Sequence, residues 1–257
     1  MLIILRDPLF QHSLVKVVRS YYADMLGSNS LNSTSNPDVD WQGMPVIFDE
    51  IFTGLYRLGR PSSSSFLGVL PDISAHAKLL TGGLLPLCTT LASESIYEAF
   101  LSSEKSDALL HGHSYTAHAV GCSVAQHSIK AMTDMDKDGT WNSFKQDWSK
   151  GTATNSSLPT WSMWSKDFVT SLSHRKDVES VLALGAVLAI SMQDPAGAGY
   201  TSTAGAGLRD TLLQGFPESD QVVHSRVLGN VLYLMASMTT KKEDLANIEK
   251  MVNLALE

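Results

Sequence analysis

The chain has few cysteines and no excess of basic residues. Its 257 residues include two cysteines, Cys88 and Cys122, which are too few for a disulfide framework. We expect both to be buried, reduced thiols. With 19 Lys and Arg against 26 Asp and Glu, the formal net charge is −7. The composition gives no electrostatic support for a nucleic-acid partner, and none is expected.

Long apolar runs are also missing from the sequence. The run that comes closest, residues 181–192, is too short to cross a bilayer, so no membrane partner is expected. Residues 1–5 are apolar but have no basic lead and no cleavage pattern, so no targeting segment is recognised. We expect a buried strand at residues 2–5, interrupted by the cut end of a larger chain. The content of 44% hydrophobic and 18% charged residues is typical of a globular protein.

Two residues that can carry chemistry follow predicted strands. Asp49 ends an apolar run at residues 46–48, and Lys78 follows a second strand-like segment at residues 73–77. Short apolar runs bounded by Pro and polar residues are typical of buried parallel strands. Because open α/β sheets bind ligands at the carboxyl ends of their strands, we expect both side chains to lie at a ligand site. Two glycines soon after Lys78 allow a tight turn and a close approach of the backbone to a ligand.

An acid and a lysine on neighbouring strand ends suit pyridoxal 5'-phosphate. This cofactor needs a lysine for its Schiff base and an acid that pairs with its pyridinium nitrogen. Lys78 has mostly apolar sequence neighbours, and desolvation would keep its amine nucleophilic. The residues alone leave an alternative open, in which Asp49 caps a turn and Lys78 is a solvated surface charge.

Three separated segments resemble the motifs of the class III aminotransferases. Residues 49–59 read D-E-I-F-T-G-L-Y-R-L-G, residues 71–83 read P-D-I-S-A-H-A-K-L-L-T-G-G, and residues 111–115 read H-G-H-S-Y. The segments occur in the family's order, and the resemblance covers about residues 1–133 and 175–257. It implies the type I fold of pyridoxal-phosphate-dependent transferases. It also implies that Lys78 is the catalytic, cofactor-binding lysine and that Asp49 pairs with the ring nitrogen.

The resemblance implies a phosphate-binding turn at residues 112–114. In the family, the residue at Ser114 donates to the cofactor phosphate of the partner subunit, just ahead of a helix. We therefore expect His113 and Ser114 to bind the cofactor and Gly112 to contact the substrate. His113 stands where many members have proline.

Two arginines are candidate substrate ligands. Residues 223–233 are similar to the family pattern V-x-x-R-x-x-G-x-x-x-Y, in which Arg226 would hold the carboxylate of the keto substrate. The residues alone also allow an interdomain salt bridge at Arg226. Arg57 would be a second anion contact, with a surface pair to Glu50 or Asp72 as the alternative.

Metal binding is not expected. The spacings of His111, His113 and His118 fit neither a helix face nor a zinc finger, so we predict turn histidines. The acidic series at residues 134–142 imitates an EF-hand loop, but Lys145 occupies the position of the bidentate Glu. We predict a solvated acidic turn there.

The Leu-Thr-Gly-Gly form of the lysine segment looks like the biotin-pathway branch of the family. This branch implies amino transfer from S-adenosylmethionine to 8-amino-7-oxononanoate by a homodimer, which is mitochondrial in eukaryotic relatives. Fungal and plant members are often fused behind a dethiobiotin synthetase domain. The family's phosphate loop and ring-stacking aromatic are not recognised here, so we expect an N-terminally truncated chain. Another class III ω-amino-acid aminotransferase and a non-catalytic remnant stay open as alternatives.

The expected architecture is α/β, with an incomplete large domain and a small α+β domain. Residues 1–135 would form the large domain with a mostly parallel sheet, 136–160 a polar linker, and 161–257 the small domain. Asp7 and Pro8 predict a helix start, followed by an apolar packing face at Leu9, Phe10, Leu14, Val17, Val18 and Tyr21. Further predictions are a loop at 27–43, a strand at 87–91, helices at 93–100, 117–132 and 208–216, a strand at 181–192, a hairpin about Gly229-Asn230, and a final helix with a Thr240/Glu243 capping box.

Overall fold

The computed structural model describes residues 7–25, 44–109, 112–149, 159–217 and 221–257. The predicted strand at residues 2–5 and loop at 27–43 lie outside the described residues. The chain divides into two compact units. In the described part, the N-terminal unit holds residues 7–56 and 60–133, without the gaps just given, and the C-terminal unit holds residues 57–59 and 134–257, again without those gaps.

The N-terminal unit contains a three-stranded sheet in the order β1-β2-β3. β1 pairs with β2 in parallel, and β2 pairs with β3 antiparallel, so the sheet predicted as mostly parallel has one pair of each kind among the described residues. β3 lies slightly later than the strand predicted at 87–91. The elements are α1 (Pro8–Met25), β1 (Ile47–Asp49), α2 (Ser64–Leu67), β2 (Ile73–His76), β3 (Thr89–Ala92), α3 (Glu94–Glu98) and 3₁₀ turns at Lys78–Leu80 and Lys105–Asp107. A further helix, α4 (Ala119–Lys137), begins in this unit and ends in the next.

Helix α1 begins where the sequence predicts, but its buried side differs. The Leu9 N–H donates to Asp7 Oδ1 at 2.7 Å, which caps the helix start. Leu14 and Val17, two members of the predicted packing face, are 51% and 59% exposed, so that prediction is wrong for this chain. Among residues 8–20 of α1, whose side chains the structure describes, Val15 and Arg19 are buried. The apolar stripe is exposed because none of the described elements covers it.

The C-terminal unit contains an antiparallel sheet in the order β4-β5-β7-β6. The single strand predicted at 181–192 is two strands, because the chain reverses at Gly185, whose φ is +54°. The predicted hairpin about Gly229-Asn230 is confirmed as β6–β7. The elements are α5 (Asn142–Ser149), α6 (Lys166–Ser173), β4 (Val178–Leu184), β5 (Val187–Met192), α7 (Ala206–Gln214), β6 (Arg226–Leu228), β7 (Val231–Met235) and α8 (Lys242–Ala255).

Two local predictions are corrected. The Thr240/Glu243 capping box is wrong, since the N-cap of α8 is Lys241, which makes no side-chain capping bond. Both cysteines are free but exposed, contrary to the prediction of buried thiols. Their neighbourhoods are apolar in sequence, but sequence does not fix which side of a short segment faces inward. None of the described helices combines the length and apolar character that a membrane crossing requires.

The region predicted as a polar surface linker contributes to the core of the C-terminal unit. Helix α5 lies within it, and Trp141 and Phe144 are 1% and 5% exposed. The Trp141 indole N–H donates to the Met238 carbonyl at 3.0 Å, and its ring stacks on Trp161 with centroids 5.8 Å apart. Tertiary contacts bury these rings, and no periodic pattern in the local sequence indicates this burial. Residues 150–158 lie outside the described part.

Candidate active site

Asp49 stands at the carboxyl end of β1, at the start of a tight turn. Its Oδ1 accepts a hydrogen bond from the Ile51 N–H at 3.0 Å. Its Oδ2 makes no hydrogen bond or ion pair with any described residue, and the side chain is exposed. Asp49 therefore caps a turn, which is the alternative role that the sequence alone left open for it. One carboxylate oxygen still remains available to a cation such as a protonated ring nitrogen.

The next residue, Glu50, points to the opposite face of the strand and is 2% exposed. Its carboxylate accepts hydrogen bonds from the Thr53 hydroxyl at 2.9 Å, the Ser62 hydroxyl at 2.5 Å and the Ser63 N–H at 2.9 Å. No described cation pairs with it. This buried carboxylate holds the turn after Asp49 against residues 62–63, a role that the sequence analysis missed. The alternation of side chains along a strand was the signal that could have placed Glu50 inside.

Lys78 reaches the same edge of the sheet from β2. The parallel register pairs Asp49 with Ala75, three residues before Lys78. Lys78 begins a 3₁₀ turn with φ at +52°, a conformation that is uncommon for a residue other than glycine. Its Nζ lies 5.6 Å from the centroid of the Phe52 ring and has no hydrogen bond or ion pair to the described residues. The predicted desolvated surroundings are wrong for this chain, because Lys78 is exposed.

The two side chains fit a pyridoxal phosphate group. The cofactor needs a free amine and an acceptor for its ring N–H, which Lys78 Nζ and Asp49 Oδ2 would supply from neighbouring strand ends. The paired glycines predicted to turn the chain, Gly82 and Gly83, do take positive φ angles of 61° and 85°. A Cβ at either glycine would meet nothing within 4 Å.

The turn at residues 112–114 is exposed and is not joined to Asp49 or Lys78 by any hydrogen bond among the described residues. The His113 N–H donates to the Thr116 hydroxyl at 2.9 Å, and the Tyr115 N–H donates to His113 Nδ1 at 3.1 Å. His113 lines a cavity of about 560 Å³, whose other lining residues include Leu85, Cys88, Thr90, Tyr115 and His118.

Ser114 does not lie at a helix N-terminus, because α4 begins only at Ala119. The N-terminus of α4 is instead capped by His118, whose Nδ1 accepts from the Gly121 N–H at 3.1 Å. His113 and His118 are thus turn histidines with backbone partners, as predicted. His111 lies outside the described residues.

Arg226 and Arg57 both border one face of β7 in the C-terminal unit. Arg226 on β6 pairs with Tyr233, and its exposed guanidinium makes no hydrogen bond or ion pair with the described residues of its own unit. Tyr233 and Met235 share a face because strand side chains alternate. The Arg57 Nη1 lies 3.6 Å from the Met235 Sδ.

Arg57 is 8% exposed, so the alternative of a surface pair is wrong for it. Burial lowers the pKa of its guanidinium. The buried position follows from the backbone: the Ala186 N–H donates to the Arg57 carbonyl at 2.8 Å. A Cβ on Gly185 would collide with this same segment, so glycine permits the contact.

The mixed α/β architecture, with Asp49 at the end of β1 and Lys78 just after β2, is of the type I fold of pyridoxal-phosphate-dependent transferases. The chain belongs to the class-III aminotransferase family, whose model matches residues 40–256.

The relatives of the chain carry more specific names. It is 56% identical over 250 residues to the bifunctional dethiobiotin synthetase/adenosylmethionine-8-amino-7-oxononanoate aminotransferase of Emericella nidulans, with 97% of this chain and 31% of that protein covered. It is 38% identical over 243 residues to the rice bifunctional dethiobiotin synthetase/7,8-diamino-pelargonic acid aminotransferase, mitochondrial, with 92% and 24% covered. The chain thus spans less than a third of these curated relatives.

A solved structure agrees on the fold. The adenosylmethionine-8-amino-7-oxononanoate aminotransferase of Methanocaldococcus jannaschii matches with a TM-score of 0.63 at 24% identity, over 82% of this chain and 45% of that one. At this identity the likeness concerns the fold alone.

Proposed function

We propose that the chain carries the catalytic lysine of a pyridoxal 5'-phosphate-dependent aminotransferase that moves an amino group from S-adenosylmethionine to 8-amino-7-oxononanoate. The observation that carries the proposal is the placement of Lys78 and Asp49 at the same edge of a parallel strand pair, in a member of the class-III family. The names of the fungal and rice relatives support the substrates. The rice relative's name supports a mitochondrial location.

Each residue has a distinct role in the proposal. The bound cofactor supplies an electron-accepting ring. Lys78 would hold the cofactor through its amine and would move the proton at the substrate carbon as general base and acid. Asp49 Oδ2 would accept the ring N–H, while the bond from the Ile51 N–H keeps the carboxylate oriented.

Substrate recognition falls to the arginines of the C-terminal unit. 8-Amino-7-oxononanoate carries a carboxylate, and a guanidinium binds such a group through two parallel hydrogen bonds. Arg226 is suited to this role because its guanidinium has no partner among the described residues. Arg57 adds a second positive charge beside Met235 on the same face of β7.

The turn at residues 112–114 is proposed to serve a second copy of the chain. It makes no hydrogen bond with Asp49 or Lys78 within its own unit. Its exposed Ser114 hydroxyl can donate to a phosphate presented from outside the chain. We therefore propose a homodimer in which His113 and Ser114 contact the partner's cofactor and Gly112 contacts its substrate.

Reductive trapping tests the cofactor part of the proposal. The chain is incubated with pyridoxal phosphate, reduced with borohydride and mapped by mass spectrometry. We expect the phosphopyridoxyl group mainly on Lys78 and little on Lys105, an exposed lysine of the same unit. Asp49→Asn should weaken cofactor binding about tenfold or more, because a charged hydrogen bond contributes about 1.5–3 kcal/mol. Equal labelling of Lys78 and Lys105 would refute the proposal and favour a non-catalytic remnant.

Half-reactions then separate the substrates. The cofactor-loaded protein should be converted to its amino form by S-adenosylmethionine and not by β-alanine. Arg226→Met should weaken the subsequent binding of 8-amino-7-oxononanoate by about 10- to 100-fold. The matched control is Arg209→Met, on an arginine already paired with Asp210. Conversion by β-alanine in place of S-adenosylmethionine would instead identify an ω-amino-acid aminotransferase.

A further inference from the structure

We propose that Glu50 is a positioning residue for Asp49, because its buried carboxylate fixes the peptide group that sets where the Asp49 carboxylate points. The inference deepens the proposed function and rests on it for its catalytic meaning, since Asp49 is the proposed acceptor for the ring N–H. The hydrogen bonds around one peptide group, the one that joins Glu50 to Ile51, carry it.

This peptide group is held at both of its ends. Its carbonyl, on Glu50, accepts from the Gly54 N–H at 3.0 Å, and its N–H, on Ile51, donates to Asp49 Oδ1 at 3.0 Å. A peptide group is planar, so a rotation that frees the carbonyl also turns the N–H away from Asp49. The contacts that hold the turn at residues 50–54 therefore also orient the Asp49 carboxylate.

The side chain of Glu50 anchors this turn from the buried side. Its Oε2 accepts from the Thr53 hydroxyl at 2.9 Å, within the turn itself. Its Oε1 accepts from the Ser62 hydroxyl at 2.5 Å and from the Ser63 N–H at 2.9 Å. The Glu50 N–H donates to the Ala75 carbonyl at 3.0 Å. One residue thus joins the turn to a second loop segment through its side chain and to β2 through its backbone.

Burial makes the position of Asp49 sensitive to these bonds. Glu50 is 2% exposed, so water does not readily replace a donor that is lost. A Cβ at Gly54 would lie 2.9 Å from the Glu50 carbonyl oxygen, so the turn has little room to adjust. Asp49 is itself exposed, and a side chain in that setting exchanges among its rotamers unless a hydrogen bond selects one. Glu50 therefore acts through Asp49 and need not touch the reacting atoms.

NMR of the cofactor-free chain tests the inference. Three-bond couplings from the Asp49 Cγ to the backbone report whether χ1 occupies one rotamer, and hydrogen exchange reports the protection of the Ile51 N–H. We expect one Asp49 rotamer in the parent. Glu50→Gln keeps the size of the side chain but replaces an accepting oxygen by an amino group that can only donate. It should give averaged Asp49 couplings and about three- to tenfold faster exchange at Ile51.

A pair of variants at Thr53 tests the same step with a smaller change, and it decides the question if Glu50→Gln fails to fold. Thr53→Val removes one donor to the carboxylate at nearly constant size, so it should also average the Asp49 couplings. Thr53→Ser keeps the hydroxyl and should retain the couplings of the parent.

The matched control deletes a hydroxyl elsewhere in the same unit. Ser128→Ala removes a donor to the Leu79 carbonyl at 2.7 Å and should change neither Asp49 nor Ile51. The Ser93 N–H, which donates to the Asp72 carbonyl at 2.9 Å, serves as the reference amide for a general loss of stability.

A single Asp49 rotamer in both Glu50→Gln and Thr53→Val would overturn the inference, whatever the exchange at Ile51. Averaged couplings in the parent, or equal acceleration at Ile51 and Ser93, would overturn it as well. The assay needs no cofactor. A chain that fails the borohydride trapping can therefore still pass this test, and the two proposals fail separately.

Discussion

The buried ion pair between helix α1 and the segment before β2 gives the largest expected effect on stability. Arg19 Nη2 lies 3.1 Å from Asp72 Oδ2, and the two side chains are 9% and 0% exposed. Arg19 Nη2 also donates to the Leu70 carbonyl at 2.7 Å, and Asp72 Oδ2 accepts from the Val46 N–H at 2.7 Å. The pair therefore connects α1 to the starts of both β1 and β2.

Arg19→Met removes the charge while keeping most of the aliphatic stem. Asp72 would then be a fully buried carboxylate whose remaining partner is the Val46 N–H, because its Oδ1 already has no hydrogen bond. Breaking one side of a buried pair costs about 3–5 kcal/mol. A whole domain is stable by about 5–15 kcal/mol, so the loss is a large part of the total. Adding Asp72→Asn to this variant removes the unpaired charge and should recover more than about 1 kcal/mol.

Urea unfolding with hydrogen exchange of the α1 and β2 amides measures the effect. The matched control is Arg209→Met, which breaks an exposed pair whose members are 42% and 52% exposed. That change should cost less than about 1 kcal/mol. The reasoning is refuted if Arg19→Met costs no more than this control, or if Asp72→Asn recovers nothing.

Two further changes concern the C-terminal unit. Gly185→Ala should cost about 2–4 kcal/mol in urea unfolding, because φ is +54° and the new Cβ would collide with the Arg57–Gly59 backbone. Gly68→Ala, at φ +66° with open space around it, should cost about 1 kcal/mol and serves as its control; equal costs would contradict the collision argument. Glu249→Gln should change the pH dependence of stability, because burial raises the pKa of Glu249 against the hydrogen bonds that Ser165 donates. A raised folded pKa gives stability that is present below the unfolded value of 4.5 and lost as pH rises through the folded pKa. The variant should therefore gain on the parent as the pH rises above 4.5, and a constant difference would show that Glu249 does not titrate this way.

Local patterns were enough to predict the elements that position Asp49 and Lys78. A short apolar run ends at Asp49, a second ends before Lys78, and each signal is complete within a few residues. The β6–β7 hairpin was predictable for the same reason, because Gly229-Asn230 separates two apolar arms. The β4–β5 turn was missed because residues 181–192 form a nearly continuous apolar run, in which Gly185 looks like one more small residue.

Burial was harder to predict than secondary structure. The apolar face of α1 predicted a packed helix, but whether such a face is covered depends on elements distant in sequence. Trp141 shows the reverse case, since a polar and non-periodic segment carries a ring that is 1% exposed. The burial of Arg57 could not be predicted from its local sequence either, because it arises from contact with the β4–β5 turn, which is distant in sequence.

Within the candidate site, the groups proposed to react were easier to find than the groups that hold them. Asp49 and Lys78 stand out by residue type and by their position after apolar runs, although those features alone left a turn cap and a surface charge open. Glu50 does not stand out, because the contacts of a buried carboxylate depend on how one turn folds back on itself. Sequence motifs identify the candidate residues. How the turn after Asp49 is held in place is visible only in its hydrogen bonds.

The residues proposed to bind the cofactor and those proposed to bind the substrate carboxylate are each held in place by contacts within one unit. The turn from Asp49 to Gly54 is maintained by Glu50 inside the N-terminal unit, although Asp49 and Lys78 are themselves exposed. The guanidinium of Arg57 is held beside Met235 inside the C-terminal unit, by backbone contacts that do not involve that turn. Because separate contacts maintain the two arrangements, cofactor trapping should respond to Asp49→Asn and not to Arg226→Met. Oxo-acid affinity should depend on Arg226 whether or not Glu50 is altered.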